Sequence, residues 1–315
     1  MPELPEVEVV RHGLAPAVTG ARIERVIVLD ARSLKRHDGP AEDFVERLAG
    51  AHVAAAVRRG KFLWMPLAIG SAFASSTPES GAFGEPVEAL VVHLGMSGQV
   101  LLRARDAEVA PLTRLVFDVH HPEHGALRVD FVDQRIFGSM AIDPLQATPD
   151  AAAGGHGSPL PLVPGQVAHI ARDPLDPAFD EARFLSALRS RRTGIKRALL
   201  DQTLVSGIGN IYADESLWAA RLHYDQPTSS ISTRKARELL SEVRTVLRRA
   251  LDEGGTSFDA QYVNVNGASG YFSHSLRAYG QQGMPCERCG RLIVREQFMN
   301  RGSHFCPGCQ RLRAA

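Results

Sequence analysis

The first 285 residues contain no cysteine; all four cysteines of the 315-residue chain lie beyond them. That absence excludes a disulfide framework spread through the chain. Apolar runs of about 18 residues are also missing, so no membrane-spanning helix is expected. The N-terminus lacks a basic segment followed by an apolar one, so no secretory signal is expected either. A cytoplasmic protein is the default. Net charge is nearly absent: 36 Lys and Arg stand against 35 Asp and Glu. The overall balance therefore says nothing about an anionic partner.

The distribution of charge says more. Residues 1–170 carry 15 basic and 20 acidic residues, net −5, and residues 171–315 carry 21 and 15, net +6. A basic second half on a neutral chain points to an anionic partner met mainly by that half. The hydrophobic fraction of 44% is enough for real cores, and the length suits two domains with a small third.

In chain order, Pro5 suits a first helical position, Glu6 and Glu8 fall in the first turn, and Gly13 is expected to stop the helix. Strands are expected over 22–30, 53–67 (interrupted at Arg58-Arg59-Gly60-Lys61), 89–93, 112–119 and 125–131, with a short helix over 41–49. Short strands between turn signals suggest a β-sandwich. Residues 71–88 and 147–164, rich in Gly, Ala and Pro, are expected to be surface loops. From Asp180 the apolar spacing turns helical, and the last segment is short, polar and cysteine-bearing. The expected fold is α+β and multidomain: a β-sandwich with flanking helices over 1–170, a linker over 171–179, a helical domain over 180–275 and a cysteine module over 276–315.

Cys286-x2-Cys289-x16-Cys306-x2-Cys309 is the strongest local signal. Two such knuckles complete a tetrahedral four-thiolate site, the preference of one structural zinc ion. A module this short has little core, so the metal supplies its folding free energy. A hairpin is expected across Arg291–Phe298. Residues 286–313 hold six Arg and two Glu, a cationic finger suited to phosphate, although such modules also serve protein contacts. A second signal is the stretch from Asp201 to Glu215. Gly207 and Gly209 permit a sharp turn between helices and expose N–H groups at the next helix start, an anion site. Asn210 suits an N-cap and can donate to phosphate. A plain helical corner would use the same glycines.

The third signal is Pro2-Glu3. Proline is small enough for removal of Met1, which would leave a secondary amine with a pKa of about 8. Such an amine can attack a carbon centre and form an iminium, with Glu3 beside it to move protons.

Pro2-Glu-Leu-Pro-Glu-Val-Glu-Val-Val10 resembles the N-terminus of the formamidopyrimidine-DNA glycosylases, and the Asp201–Glu215 stretch resembles their helix-two-turn-helix. With the cysteine module, Arg-Gly-Lys61-Phe, His-Leu-Gly-Met96-Ser-Gly and Asp-Gln-Arg135-Ile-Phe137-Gly, the resemblance covers nearly the whole chain. It implies a base-excision repair enzyme that removes oxidised purines from duplex DNA and then cuts the strand by β,δ-elimination. In that resemblance Pro2 is the nucleophile and Glu3 the acid/base. Lys61, Lys196, Asn210 and Arg301 hold phosphates, and Met96, Arg135 and Phe137 fill the gap left by a flipped base. Cys286, Cys289, Cys306 and Cys309 hold zinc, no redox cofactor is needed, and the enzyme acts as a monomer, nucleoid-associated when on DNA. Without the resemblance, Met96 and Phe137 read as core residues. Gln134 and Ile136 depart from the common Asp-Pro-Arg-Arg-Phe, and Ser303 stands where threonine is frequent. The segments around Gly254–Ser257 and Tyr262–Asn266 fall where the family's base-capping loop begins. Two other readings stay open: an endonuclease VIII-like glycosylase for oxidised pyrimidines, and a damaged-DNA-binding protein without chemistry.

Overall fold

Alternating apolar residues on antiparallel strands build the first half of this protein. The computed structural model describes residues 2–68, 86–256, 265 and 270–313. Most of the expected 71–88 loop and most of the 257–269 segment lie outside them, as does Met1. The chain divides into two compact units. Met1–Pro2, Glu6–His169 and Asp259–Ser269 form the first; Glu3–Pro5, Ile170–Phe258 and Gly270–Ala315 form the second.

In the first unit, helix α1 (Leu4–Val18) and strand β1 (Arg22–Val28) are followed by α2 (Ala41–Leu48), β2 (His52–Val53), β3 (Val57–Arg59) and β4 (Phe62–Ala68). Then come β5 (Glu88–His93), β6 (Gly98–Ala104), β7 (Thr113–His121), β8 (Gly125–Asp133), β9 (Ser139–Ala147) and β10 (Leu162–Pro164). Hydrogen bonding runs β10-β9-β5-β4-β2-β1-β7-β8-β6, with β3 on β4. Every second residue of β7 (Leu115, Phe117, Val119), β4 (Leu63, Met65, Leu67) and β9 (Met140, Ile142) enters one core with Val7, Val10 and Leu14 of α1. Strands from both ends of the ladder thus share one interior, as a sandwich does. The sequence reading lacked β6 and β9: one follows directly on the Met96 motif, and Pro144 interrupts the other.

Helix α1 does not stop at Gly13 but continues to Val18. Gly13 serves close approach instead. A Cβ there would stand 2.3 Å from Cγ2 of Val265, which is fully buried in the same core. The expected interruption at Arg58-Arg59-Gly60-Lys61 is a turn: β3 and β4 pair Arg59 with Phe62, so Gly60-Lys61 is a two-residue hairpin turn. Gly60 takes φ +56, as the first turn position asks of glycine.

In the second unit, α3 (Glu181–Ser190), α4 (Ile195–Leu200), α5 (Asn210–Ala219) and α6 (Thr233–Asp252) pack around one core, with Phe184, Leu185 and Leu188 against Leu239, Val243 and Leu247. Asp180 caps α3 by accepting from the Arg183 N–H at 2.9 Å, and Ser232 caps α6 from Lys235 at 3.2 Å. The unit ends in a hairpin of β11 (Val294–Phe298) and β12 (Arg301–Phe305), turning at Met299-Asn300. It lies further along the chain than expected, which puts Arg301 first after the turn.

Candidate active site and nucleic-acid interface

The glycines of Gly207-Ile-Gly209 have an occupant. Glu3, almost wholly buried, accepts from the backbone N–H groups of Gly209 (2.6 Å), Ile211 (3.0 Å) and Tyr212 (3.4 Å) at the start of α5. A Cβ on Gly209 would meet Glu3 Cδ at 2.3 Å, and one on Gly207 would meet Leu4 Cδ1 at 2.7 Å. Gly207 also takes φ +87 and accepts from the Leu4 N–H at 2.9 Å. The expected anion site at this helix start is therefore real, and the chain's own Glu3 carboxylate fills it. Pro2, one residue earlier, is buried.

Asn210 is the first residue of α5, not its cap; Gly209 stands in the cap position. The Asn210 side-chain amide donates to the Gly302 carbonyl at 3.1 Å. Lys196 is 0% exposed. Its ammonium lies 2.6 Å from Asp214 Oδ1 and donates to Ser303 Oγ (3.1 Å) and the Gly302 carbonyl (3.3 Å). Asp214 Oδ2 also accepts from the His304 N–H at 2.9 Å. Burial lowers the Lys196 pKa against the opposing pull of Asp214. Lys196 thus neutralises a buried carboxylate and ties α4 and α5 to β12, while Arg301, just past the turn, is exposed. The structure gathers Glu3, Asn210, Lys196 and the base of Arg301 in the second unit. The sequence reading missed Asp214, whose only sign was a second acidic residue inside a helix.

The four cysteine sulfurs lie within 4.8 Å of one another. A zinc tetrahedron with Zn–S bonds of about 2.3 Å has edges of about 3.8 Å, so this donor set fits that ion. Burial, then hydrogen bonds with Cys289 and Cys306, push the Cys309 thiol up to about 12. Four thiols this close cannot all ionise without a cation among them.

In the first unit, the turn carrying Lys61 is fastened by a charge cluster that sequence reasoning missed. Glu8 accepts from Arg58 Nε at 2.8 Å and from Arg11 at 2.7 and 2.9 Å. Burial raises the Glu8 pKa, but the two guanidiniums outweigh it and hold the carboxyl below its usual range. His93, also missed, has its pKa brought down to about 4 by burial and by the charges of Arg36, Lys61 and Lys35. Its Nδ1 accepts from the Gly95 N–H at 3.1 Å. Burial and the neighbouring cations therefore favour the neutral imidazole, with Nδ1 as the acceptor.

Met96 and Phe137 are 40% and 51% exposed, so neither is a core residue. Arg135 is exposed as well. Their two loops touch. The Ser97 hydroxyl donates to Asp133 Oδ1 at 2.5 Å and accepts from the Arg135 N–H at 3.2 Å. Gly95, at φ +62, leaves no room for a Cβ, which would lie 2.4 Å from the Phe137 carbonyl carbon.

Comparison with known proteins bears on the whole of this arrangement. Residues 1–140 match the formamidopyrimidine-DNA glycosylase N-terminal domain and residues 170–261 the H2TH domain of the same glycosylases. Residues 283–312 match the zinc finger found in FPG and IleRS. The chain is 62% identical to the formamidopyrimidine-DNA glycosylase of Leifsonia xyli over 99% of this chain and 100% of that one. It is 54% identical to that of Kineococcus radiotolerans over 98% and 97%. Among solved structures, Lactococcus lactis Fpg in complex with abasic-site DNA aligns with TM-score 0.76 and 28% identity over 98% and 99% of the two chains. The same Lactococcus protein is also described with DNA containing an oxidised pyrimidine. MutM (Fpg) of Thermus thermophilus aligns with TM-score 0.75 and 31% identity over 99% and 100%.

Fold and matches together define a DNA glycosylase of base-excision repair. Within that class the chain belongs to the formamidopyrimidine-DNA glycosylase family, whose members are bifunctional glycosylases and abasic-site lyases. Among the described residues, no helix is long and apolar enough to cross a membrane.

Proposed function

We propose that this enzyme removes oxidised purines, 8-oxoguanine and formamidopyrimidines, from duplex DNA, using Pro2 as the nucleophile. The seating of Glu3 on three N–H groups at the start of α5 carries the reading. It fixes a carboxylate one residue from the proline, on a helix corner whose glycines make room for nothing larger. The Pro2 amine, freed by loss of Met1, attacks C1′ of the lesion nucleotide. The C1′–N bond breaks and the base leaves with a proton. Glu3 moves the proton that opens the sugar ring, and the C1′–nitrogen bond becomes an iminium. The iminium acidifies C2′–H, whose loss expels the 3′ phosphate; a second elimination expels the 5′ phosphate. Lys61, Asn210 and Arg301 hold the phosphates around the lesion, with Lys196 fastening the last two from within. Met96, Arg135 and Phe137 enter the gap left by the extruded base, offsetting the few kcal/mol lost in unstacking.

Cys286, Cys289, Cys306 and Cys309 hold one zinc ion. It shapes the finger and takes no part in bond breaking, because four protein ligands leave it no open position. The chemistry needs no redox cofactor, and the enzyme works as a monomer inside the cell.

Borohydride trapping tests this reading. A covalent adduct mapped to Pro2 is expected on a duplex with 8-oxoguanine opposite cytosine. A second substrate, a thymine glycol duplex, matters because a relative is described with an oxidised pyrimidine. An adduct chiefly on thymine glycol would move the enzyme to the pyrimidine branch. Tight binding without any adduct would leave a damage-binding scaffold.

A further inference from the structure

The loop between β8 and β9, residues 134–138, projects the exposed side chains of Gln134, Arg135 and Phe137 from a fully buried root. Asp133 at that root is 0% exposed. Its Oδ2 accepts from the Gly138 N–H at 2.7 Å, and its Oδ1 accepts from the Arg135 N–H at 3.1 Å and from Ser97 Oγ at 2.5 Å. One carboxylate therefore holds both ends of its own loop and, through Ser97, the neighbouring loop that carries Met96. Between the two held N–H groups Ile136 takes φ +56, a conformation that a β-branched residue adopts only where its surroundings enforce it. Lys35 Nζ donates to the Ile136 carbonyl at 2.9 Å, fixing that residue from a third side. Exposed side chains that must enter a base stack lose less freedom on insertion when their backbone is already rigid.

We propose that Asp133, with Ser97, is the positioning residue of the flipping wedge. It latches the Met96 loop to the Arg135–Phe137 loop so that the three side chains enter the DNA as one body. The inference rests on the reading that these three fill the gap. It deepens that reading by placing the control of extrusion on two residues beneath the exposed side chains. The latch acts on extraction of a paired base and not on the chemistry that follows, so its loss is visible only where a base must be extracted.

The test compares two substrates under single-turnover conditions, using the full-length zinc-loaded enzyme. One is a duplex with 8-oxoguanine opposite cytosine; the other carries a preformed abasic site. S97A, a mild surface-side change, is expected to slow excision from the first on the order of tenfold or more and to cut the second within about twofold of wild type. D133N, which removes one acceptor from a buried site, is expected to show the same pattern more strongly. If it does not fold, S97A decides. Equal slowing on both substrates, or none on either, overturns the latch. A triple variant, M96A/R135A/F137A, runs beside them. If it excises 8-oxoguanine at the wild-type rate, the gap-filling reading itself falls; if it is slow while S97A is normal, only the latch falls.

Discussion

Replacing Gly209 with alanine isolates the seat of Glu3. The Gly209 backbone, φ −124 and ψ −158, is extended and open to alanine, so the substitution acts through its methyl group and not through strain. That methyl would stand 2.3 Å from Glu3 Cδ, and ordinary contact begins near 3.4 Å, so the carboxylate must retreat by about 1.1 Å. A retreat of that size stretches even the shortest of its three bonds, 2.6 Å to the Gly209 N–H, past hydrogen-bond reach. Misplacing a catalytic group by about 1 Å costs on the order of 100-fold in rate. Each hydrogen bond lost to a charged group costs about 1.5–3 kcal/mol of stability. Single-turnover excision of 8-oxoguanine by G209A is expected to fall on that order, with a lowered melting temperature. In an E3A background, where no carboxylate meets the methyl, the same change is expected to cost almost no further stability. Wild-type excision by G209A, or an undiminished stability loss beside E3A, would refute the argument.

Three further outcomes follow from the same geometry. His93 has its pKa lowered from 6.5 to about 4, so the unfolded chain binds the extra proton between those values. Wild type should therefore lose stability as pH falls from about 6.5 towards 4, by at most about 3 kcal/mol, and H93Q should lose less over that range in paired melting curves. R301A should weaken DNA binding across sequences and lower the salt slope by about 1. K196M should leave that slope unchanged while destabilising the fold by about 3–5 kcal/mol, because Asp214 stays buried without its cation. A reduced slope in K196M would instead put Lys196 at a phosphate. Elemental analysis should give about one zinc per chain. C309S or a strong chelator should remove it and weaken DNA binding together, and full affinity without the metal would break the link between finger and grip.

What the sequence made legible depended on how local the cause was. The cysteine spacing specifies its own geometry, because each knuckle is closed by residues three apart, and the four sulfurs do meet. The strands around β7 were legible because their alternation is continuous. The interruption at Arg58-Arg59-Gly60-Lys61 was legible for the same reason, because the pairing of Arg59 with Phe62 that turns the chain there is local. Gly13 was misread because its environment comes from a distant residue: Val265, far along the chain, is what requires a glycine at position 13. Lys196 shows the same limit in electrostatics. The phosphate role that the resemblance implies for Lys196 gives no sign of Asp214, eighteen residues on, which pairs with its buried ammonium.

Two of the departures from the family pattern, Ser303 and Ile136, separate in the same way. Ser303 keeps the hydroxyl that donates to Asp214 at 3.1 Å and accepts from Lys196, which is all a threonine would offer there, so the change is silent in this network. Ile136 brings a β-branched side chain to a left-handed backbone that an unbranched arginine would occupy at lower cost. The loop keeps its shape only because Asp133, Ser97 and Lys35 hold it from three sides. Replacing Ile136 with arginine should therefore raise the melting temperature without changing the fold of the loop. A lower melting temperature would mean that the strain is not borne at that residue.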